Sequence, residues 1–128
     1  MMRHHTVFVF LLAAGFTASS CANGGEESRF KRDGKSLFYN FGGCSTCHRV
    51  NADKLVGPGL AGVSKIHSDA WLKKWLKFPE KTWEENDPET AEMRARLGEG
   101  KKSKPGMKLV REFSDEEIDA LVDFMKTL

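Results

Sequence analysis

The stretch Cys44-Ser45-Thr46-Cys47-His48 holds two of the chain's three cysteines and one of its four histidines. Two residues separate the thiols, which is about one turn of a helix, and the imidazole follows the second thiol directly. The apolar residues before this pentad recur at helical spacing until a pair of glycines interrupts them. The pentad therefore predicts a site at the end of a helix where two thiols and an imidazole serve one group.

Helical spacing dominates the rest of the chain, and no alternating strand pattern competes with it. Helices are predicted over about 29–41, 69–78, 88–97 and 115–127. Loops rich in glycine and proline, chiefly 54–62 and 99–108, lie between them. The sequence therefore predicts a small all-α domain.

Each predicted helix begins at a residue whose side chain can cap it. The predicted N-caps are Ser28, Ser68, Asp87 and Ser114. Ser114 also forms a capping box with Glu117, and Pro79 is expected to end the second helix. The last helix has the clearest apolar stripe, formed by Ile118, Leu121, Val122, Met125 and Leu128. The second helix has an apolar face of Trp71, Leu72, Trp75 and Leu76.

The composition allows one domain and disfavours a nucleic-acid partner. The chain has 128 residues and a mass of 14.4 kDa, with 20 Lys and Arg against 18 Asp and Glu. The net charge of +2 is small and its signs are interleaved, whereas a nucleic-acid-binding domain normally carries a dominant basic face. The odd number of cysteines also excludes a set of disulfides that would pair all of them. We expect a monomer that binds no nucleic acid.

The N-terminus has the layout of an export signal. Residues 1–20 run from a basic start through an apolar run to small residues, and this run is too short to span a bilayer permanently. They resemble a bacterial lipoprotein signal, in which the next cysteine, here Cys21, is lipidated and becomes the mature N-terminus. Ordinary cleavage after Ala22 is the alternative. The predicted organisation is a signal peptide over 1–20, a lipid-anchored polar tether over 21–28 and one domain over 29–128. The domain is expected on the periplasmic side of a bacterial membrane, or soluble in the periplasm without the lipid.

The C-x-x-C-H pentad is the attachment sequence for c-type haem. Thiols one helical turn apart can form thioethers with the two vinyl groups on one edge of the porphyrin, and the adjacent imidazole reaches the iron from one face. A structural zinc site fits less well, because it needs four ligands and the chain lacks a second paired motif. A redox dithiol would need a preceding strand, and a simple disulfide leaves His48 without a role. The pentad predicts one covalent haem c, with a non-haem thiol protein as the alternative.

Two further stretches extend the pentad into a resemblance that covers almost all of the chain after the tether. With Gly-Pro-Gly-Leu at 57–60 and the stretch at 114–125, the chain is similar to a class I cytochrome c. This resemblance implies the small cytochrome c fold, with four to five helices wrapped around one covalently attached haem. It also implies that the first and last helices cross with Gly34 and Phe38 against Phe124.

The resemblance also implies the axial ligands of the iron. His48 is the first ligand, with the backbone carbonyl of Pro58 accepting a hydrogen bond from its other ring nitrogen. Met107 takes the family's position for the sixth ligand, and its thioether is a soft, neutral donor that favours ferrous iron. Ligation by His67 and an open sixth site are the alternatives. The implied haem-binding residues are Cys44, Cys47, His48, Pro58 and Met107.

A filled sixth site implies an electron carrier rather than an enzyme. We expect a one-electron carrier with membrane or periplasmic redox partners, such as a terminal oxidase or reductase, and a membrane association through the N-terminal lipid. The alternative is a haem protein with an open or labile sixth site that acts as a gas sensor or a peroxidase-like enzyme.

Two groups of side chains near this site have two interpretations each. Trp71 and Trp75 share a helix face, so core packing is expected, with an indole N–H on a haem propionate as the alternative for one of them. The basic residues around Met107 form either a rim that steers an acidic partner or a solvated loop. These basic residues are Lys101, Lys102, Lys104, Lys108 and Arg111.

Overall fold

The computed structural model describes residues 32–128, and this part of the chain is helical without any strand. The all-α prediction is thereby confirmed. The predicted signal peptide, Cys21, the tether and the Ser28 cap lie outside the described residues. Within 32–128, no helix combines the length and the hydrophobicity that crossing a membrane requires.

The first helix starts later than the sequence predicts. Helix α1 comprises Gly34–Ser36 and continues as a π-helical turn over Leu37–Phe41. Its N-cap is Asp33, which has an extended backbone. The Asp33 side chain accepts a hydrogen bond from the Ser36 amide at 2.9 Å, and this contact fixes the start of the helix. Residues 32 and 33, which the prediction placed inside the helix, are therefore not helical, and residues 29–31 of the predicted helix lie outside the described part of the chain.

The middle of the chain has one predicted helix and two further helices that the sequence does not predict. The predicted helix is α3, which spans Asp69–Lys77 behind the Ser68 cap, and the two others are α2, a short turn over Val63–Ile66, and α4, Pro79–Glu85. Pro79 does not only end α3, as expected, but also begins α4. Proline is tolerated in the first turn of a helix because the amide it lacks would have no partner there.

The last two helices follow their predictions closely. Helix α5 spans Pro88–Arg96, with the Asp87 carboxylate accepting a hydrogen bond from the Thr90 amide. Helix α6 spans Asp115–Met125 and has the predicted Ser114–Glu117 capping box. Both N-termini depend on contacts three residues apart, which a local sequence pattern captures well.

Helices α1 and α6 cross at a glycine. A Cβ atom on Gly34 would lie 1.9 Å from the carbonyl oxygen of Ala120 and 2.7 Å from Cβ of Phe124. The rings of Phe38 and Phe124 pack 5.6 Å apart next to this crossing. The contact implied by the resemblance is present, and it requires glycine because any side chain would push the two backbones apart.

Helix α3 packs against α6 to complete one hydrophobic core. Its buried residues include Leu37, Phe38, Trp71, Leu72, Trp75, Leu76, Trp83, Ile118, Leu121 and Val122. Cys44 and Met107 are half-buried and both pack against this same core. The core therefore connects the pentad to the methionine loop.

Candidate cofactor site

A tight turn positions the two thiols of the pentad. Gly43 adopts a left-handed conformation with φ of 65°, and a 3₁₀ turn over Cys44–Thr46 follows it. Cys44 and Cys47 are both free and half-buried. Burial raises the pKa of the Cys44 thiol above its usual value. A protonated, half-buried thiol is a poor match for a redox dithiol, whose attacking cysteine needs a lowered pKa.

The imidazole of His48 is held in one tautomer by a backbone carbonyl. Its Nδ1 lies 2.8 Å from the carbonyl oxygen of Pro58, so Nδ1–H donates and the Nε2 lone pair remains a possible ligand. Within residues 32–128, Nε2 makes no hydrogen bond. This is the contact that the resemblance implies for Pro58.

Gly57, which belongs to the Gly-Pro-Gly-Leu stretch, allows this placement of His48. A Cβ atom on Gly57 would lie 2.4 Å from Cε1 of the imidazole. The Gly57 amide also donates to the carbonyl of Cys47 at 2.8 Å, which ties the loop to the pentad. The loop therefore forms a wall against one side of the ring.

Met107 is half-buried and receives a hydrogen bond from a tryptophan. The indole N–H of Trp75 donates to Sδ of Met107 at 3.0 Å. The indole N–H of Trp71 donates instead to the hydroxyl of Thr90 at 2.9 Å. Both tryptophans are buried and stacked on each other, as core packing predicts, and both indole donors already have protein partners.

His67 is engaged at both ring nitrogens. Arg96 donates to Nε2 at 2.8 Å, and Nδ1 contacts the Glu89 carboxylate at 3.2 Å. The ring is buried, stacks on Trp71 at 4.1 Å, and burial lowers the pKa of His67 below its usual value. Ligation through either ring nitrogen would break the hydrogen bond at that nitrogen and pull a buried ring away from Trp71, so the structure disfavours that alternative.

Met107 also lines an open groove of about 600 Å³ between α4 and its own loop. Phe78, Pro79 and Lys108 lie along the same groove, but the pentad does not. Of the basic residues around Met107, Lys102 pairs with Glu99 at 2.6 Å and Arg111 with Glu117 at 2.8 Å. The remaining lysines of this rim are exposed.

The donor set fits a covalently bound haem. Two free thiols stand on one turn, an imidazole presents an unshared nitrogen, and a glycine accommodates the ring of that imidazole. A thioether supplies a soft donor on the same core. Within the described residues, no three His, Cys, Asp or Glu side chains cluster in a way that could hold a metal ion by themselves.

A comparison with known families gives one match. The family model described as cytochrome c matches residues 32–128, which is more than half of the chain. No curated protein and no solved structure gives a match.

Proposed function

The chain belongs to the cytochrome c family, and we propose that it is an exported carrier of single electrons whose haem is bound by His48 and Met107. The family binds haem c covalently, so the chain is a haem-binding electron-transfer protein. The attachment residues that we propose are Cys44 and Cys47. The haem supplies an iron that changes between the ferric and ferrous states.

The hydrogen bond between His48 and Pro58 is the observation that carries this proposal. Donation from Nδ1 to the Pro58 carbonyl at 2.8 Å selects the tautomer whose Nε2 carries the lone pair that can bind iron. The same contact fixes the plane of the imidazole ring before haem binds. Such an orientation would be unnecessary for a histidine that only packs in a turn.

Met107 supplies a second axial donor in this proposal. A thioether is neutral and soft, so it stabilises the ferrous state relative to a second imidazole and raises the reduction potential. The hydrogen bond from Trp75 holds the sulfur at the core rather than in solvent. Because a filled sixth position excludes small gas ligands and peroxide, this arrangement favours electron transfer over catalysis.

Covalent attachment and one-electron chemistry can be tested together. The full chain is expressed in a host with a haem-attachment system, and the mass of the denatured protein is measured by mass spectrometry. We expect one haem on the wild type and no doubly attached haem on Cys44→Ala or Cys47→Ala. A potentiometric titration of the native holoprotein should follow a single reversible one-electron curve. Wild-type protein without covalent haem would contradict the proposal.

The proposed location rests on residues 1–21 of the sequence. Their basic, apolar and small-residue order supports export, and Cys21 supports a lipid anchor on the periplasmic side of a bacterial membrane. We expect the wild type in the membrane fraction with a lipidated mature N-terminus. The variant Cys21→Ser should lose the lipid mass, and any exported product should be soluble. A wild type cleaved after Ala22 and found in the soluble fraction would contradict the anchor.

An anchored carrier would meet its partners within the plane of the membrane. We propose a membrane or periplasmic oxidase or reductase as that partner, because tethering raises the local concentration and permits weak, brief docking. The rate of oxidation by isolated membranes should therefore be lower for the Cys21→Ser variant than for the wild type. Equal rates at equal total concentration would contradict a role for the anchor.

A further inference from the structure

The loop that carries Met107, residues 99–108, is held by an arginine from α5. Nη2 of Arg94 donates to the carbonyl oxygens of Gly100 at 3.0 Å and Lys102 at 3.1 Å. Nη1 donates to the side-chain oxygen of Asn86 at 2.9 Å, at the end of α4. One guanidinium group therefore connects the methionine loop to two helices.

Trp83 reinforces the same contact. Its ring lies 4.4 Å from the guanidinium carbon of Arg94, within range of a cation–π interaction, and its indole N–H donates to the Lys102 carbonyl at 3.2 Å. Trp83 is only 2% exposed, so it is a fixed platform rather than a surface side chain. The Lys102 carbonyl thus accepts from two donors, and buried Pro105 lies between this point and Met107.

We propose that Arg94 is a positioning residue that holds the methionine loop in place and thereby keeps Met107 on the iron. The proposal rests on the axial ligation by Met107 proposed above. Arg94 touches neither the sulfur nor the pentad in this arrangement. It acts through the backbone of the loop, five residues before the ligand.

The physical basis is the entropy of the loop. A ligand on an ordered loop has a high effective concentration at its binding position, whereas a ligand on a free loop must restrict the loop each time it binds. The planar guanidinium can reach two carbonyls and an amide oxygen at once while stacking on an indole. A lysine ammonium lacks this geometry. Loss of Arg94 should make Met107 easier to displace.

Imidazole added to the ferric holoprotein tests this directly, because it competes with Met107 and its binding is followed by absorbance. We expect Arg94→Gln to bind imidazole at least about tenfold more tightly than the wild type, the equivalent of one lost charge-assisted hydrogen bond. Trp83→Phe keeps an aromatic ring beside Arg94 and removes one hydrogen bond to the Lys102 carbonyl, so it should raise the affinity for imidazole by less. Hydrogen exchange should accelerate at 99–108 in both variants but not in α6.

Arg96→Gln is the matched control, because Arg96 lies on the same helix and contacts His67 rather than the loop. It should bind imidazole like the wild type. Equal affinities for Arg94→Gln and Arg96→Gln would overturn the positioning role, as would unchanged exchange at 99–108. Should Arg94→Gln fail to fold, Trp83→Phe decides by the same two readouts.

Met107→Ala separates this proposal from the one on which it rests. If Met107→Ala gains imidazole affinity while Arg94→Gln and Trp83→Phe do not, only the positioning role fails. If Met107→Ala binds imidazole no more tightly than the wild type, Met107 is not the ligand and both proposals fail.

Discussion

The indole N–H of Trp75 donates a hydrogen bond to Sδ of Met107 across 3.0 Å. Trp75 is 9% exposed, and its ring stacks on Trp71 with centroids 5.2 Å apart, so the donor is fixed in direction. A hydrogen bond to a thioether withdraws electron density from the sulfur. Trp75 therefore acts on the residue that we propose as the sixth ligand.

Replacing Trp75 by phenylalanine should lower the reduction potential. Without the hydrogen bond, the sulfur donates more strongly and the ferric state gains relative to the ferrous state. The decrease should be at most about 60 mV, the one-electron equivalent of the roughly 1.5 kcal/mol that a hydrogen bond contributes at most. Potentiometric titration measures it. Trp71→Phe is the control, because the indole N–H of Trp71 donates to Thr90 and not to Met107. A larger decrease in the reduction potential of Trp71→Phe than of Trp75→Phe would refute the assignment.

Alanine at position 57 should displace His48. The new Cβ would lie 2.4 Å from Cε1 of the imidazole, so the ring must leave its hydrogen bond with Pro58. We expect a loss of about 1–3 kcal/mol in unfolding free energy, as for other overpacked sites, and a lower yield of holoprotein with the wild-type spectrum. Gly100→Ala is a suitable comparison because no atom lies within 4 Å of its added Cβ. Identical yields and stabilities for the two variants would show that the wall around His48 is not needed.

Alanine at position 34 should weaken the crossing of α1 and α6. The added Cβ would overlap the Ala120 carbonyl at 1.9 Å, which is backbone and cannot rotate away. The unfolding free energy in guanidinium should fall by at least about 2 kcal/mol, because the two helices must separate. A Gly34→Ala protein as stable as the wild type would mean that the helices can slide without cost.

Glu117 should make folding stability depend on acid pH. The hydrogen bond from Arg111 is the main reason that the pKa of Glu117 falls from 4.5 to about 2. A carboxyl with a lowered pKa in the folded protein stabilises it above the unfolded pKa, and this contribution is lost as the pH falls through the folded pKa. The stability difference between wild type and Glu117→Gln should therefore be largest near neutral pH, about 1–2 kcal/mol after allowance for solvent screening, and shrink between about pH 5 and pH 2. Denaturant titrations at several pH values check this, and a constant difference would contradict it.

The parts of the fold that were predictable are local in sequence. Ser68, Asp87 and Ser114 cap their helices as expected, because each side chain reaches an amide only three residues away. Pro79 ends α3 as expected, but the sequence does not predict the helix α4 that begins at the same proline. The apolar residues of α4 are too few to show a period, although Trp83 is almost fully buried.

In the candidate site, too, the features that are local in sequence were predictable and the long-range contacts were not. The pentad is contiguous, so its spacing carries its chemistry, and the contact between His48 and Pro58 followed from a resemblance to a known family. The bond from Trp75 to Met107 joins residues 32 positions apart, and nothing in the sequence specifies it. The hydrogen bonds from Arg94 to the methionine loop end on backbone carbonyls. Because every residue has such a carbonyl, no side-chain pattern in the sequence could have indicated these bonds.

Carbon monoxide binding to the reduced holoprotein at neutral pH tests the proposed electron carrier most directly. A sixth position filled by Met107 predicts that the wild-type spectrum does not change when carbon monoxide is added, and that Met107→Ala binds the gas. A wild type that binds carbon monoxide readily, together with a Met107→Ala variant whose spectrum matches the wild type, would contradict the account. The sixth site would then be open, as in a gas sensor or a peroxidase-like enzyme.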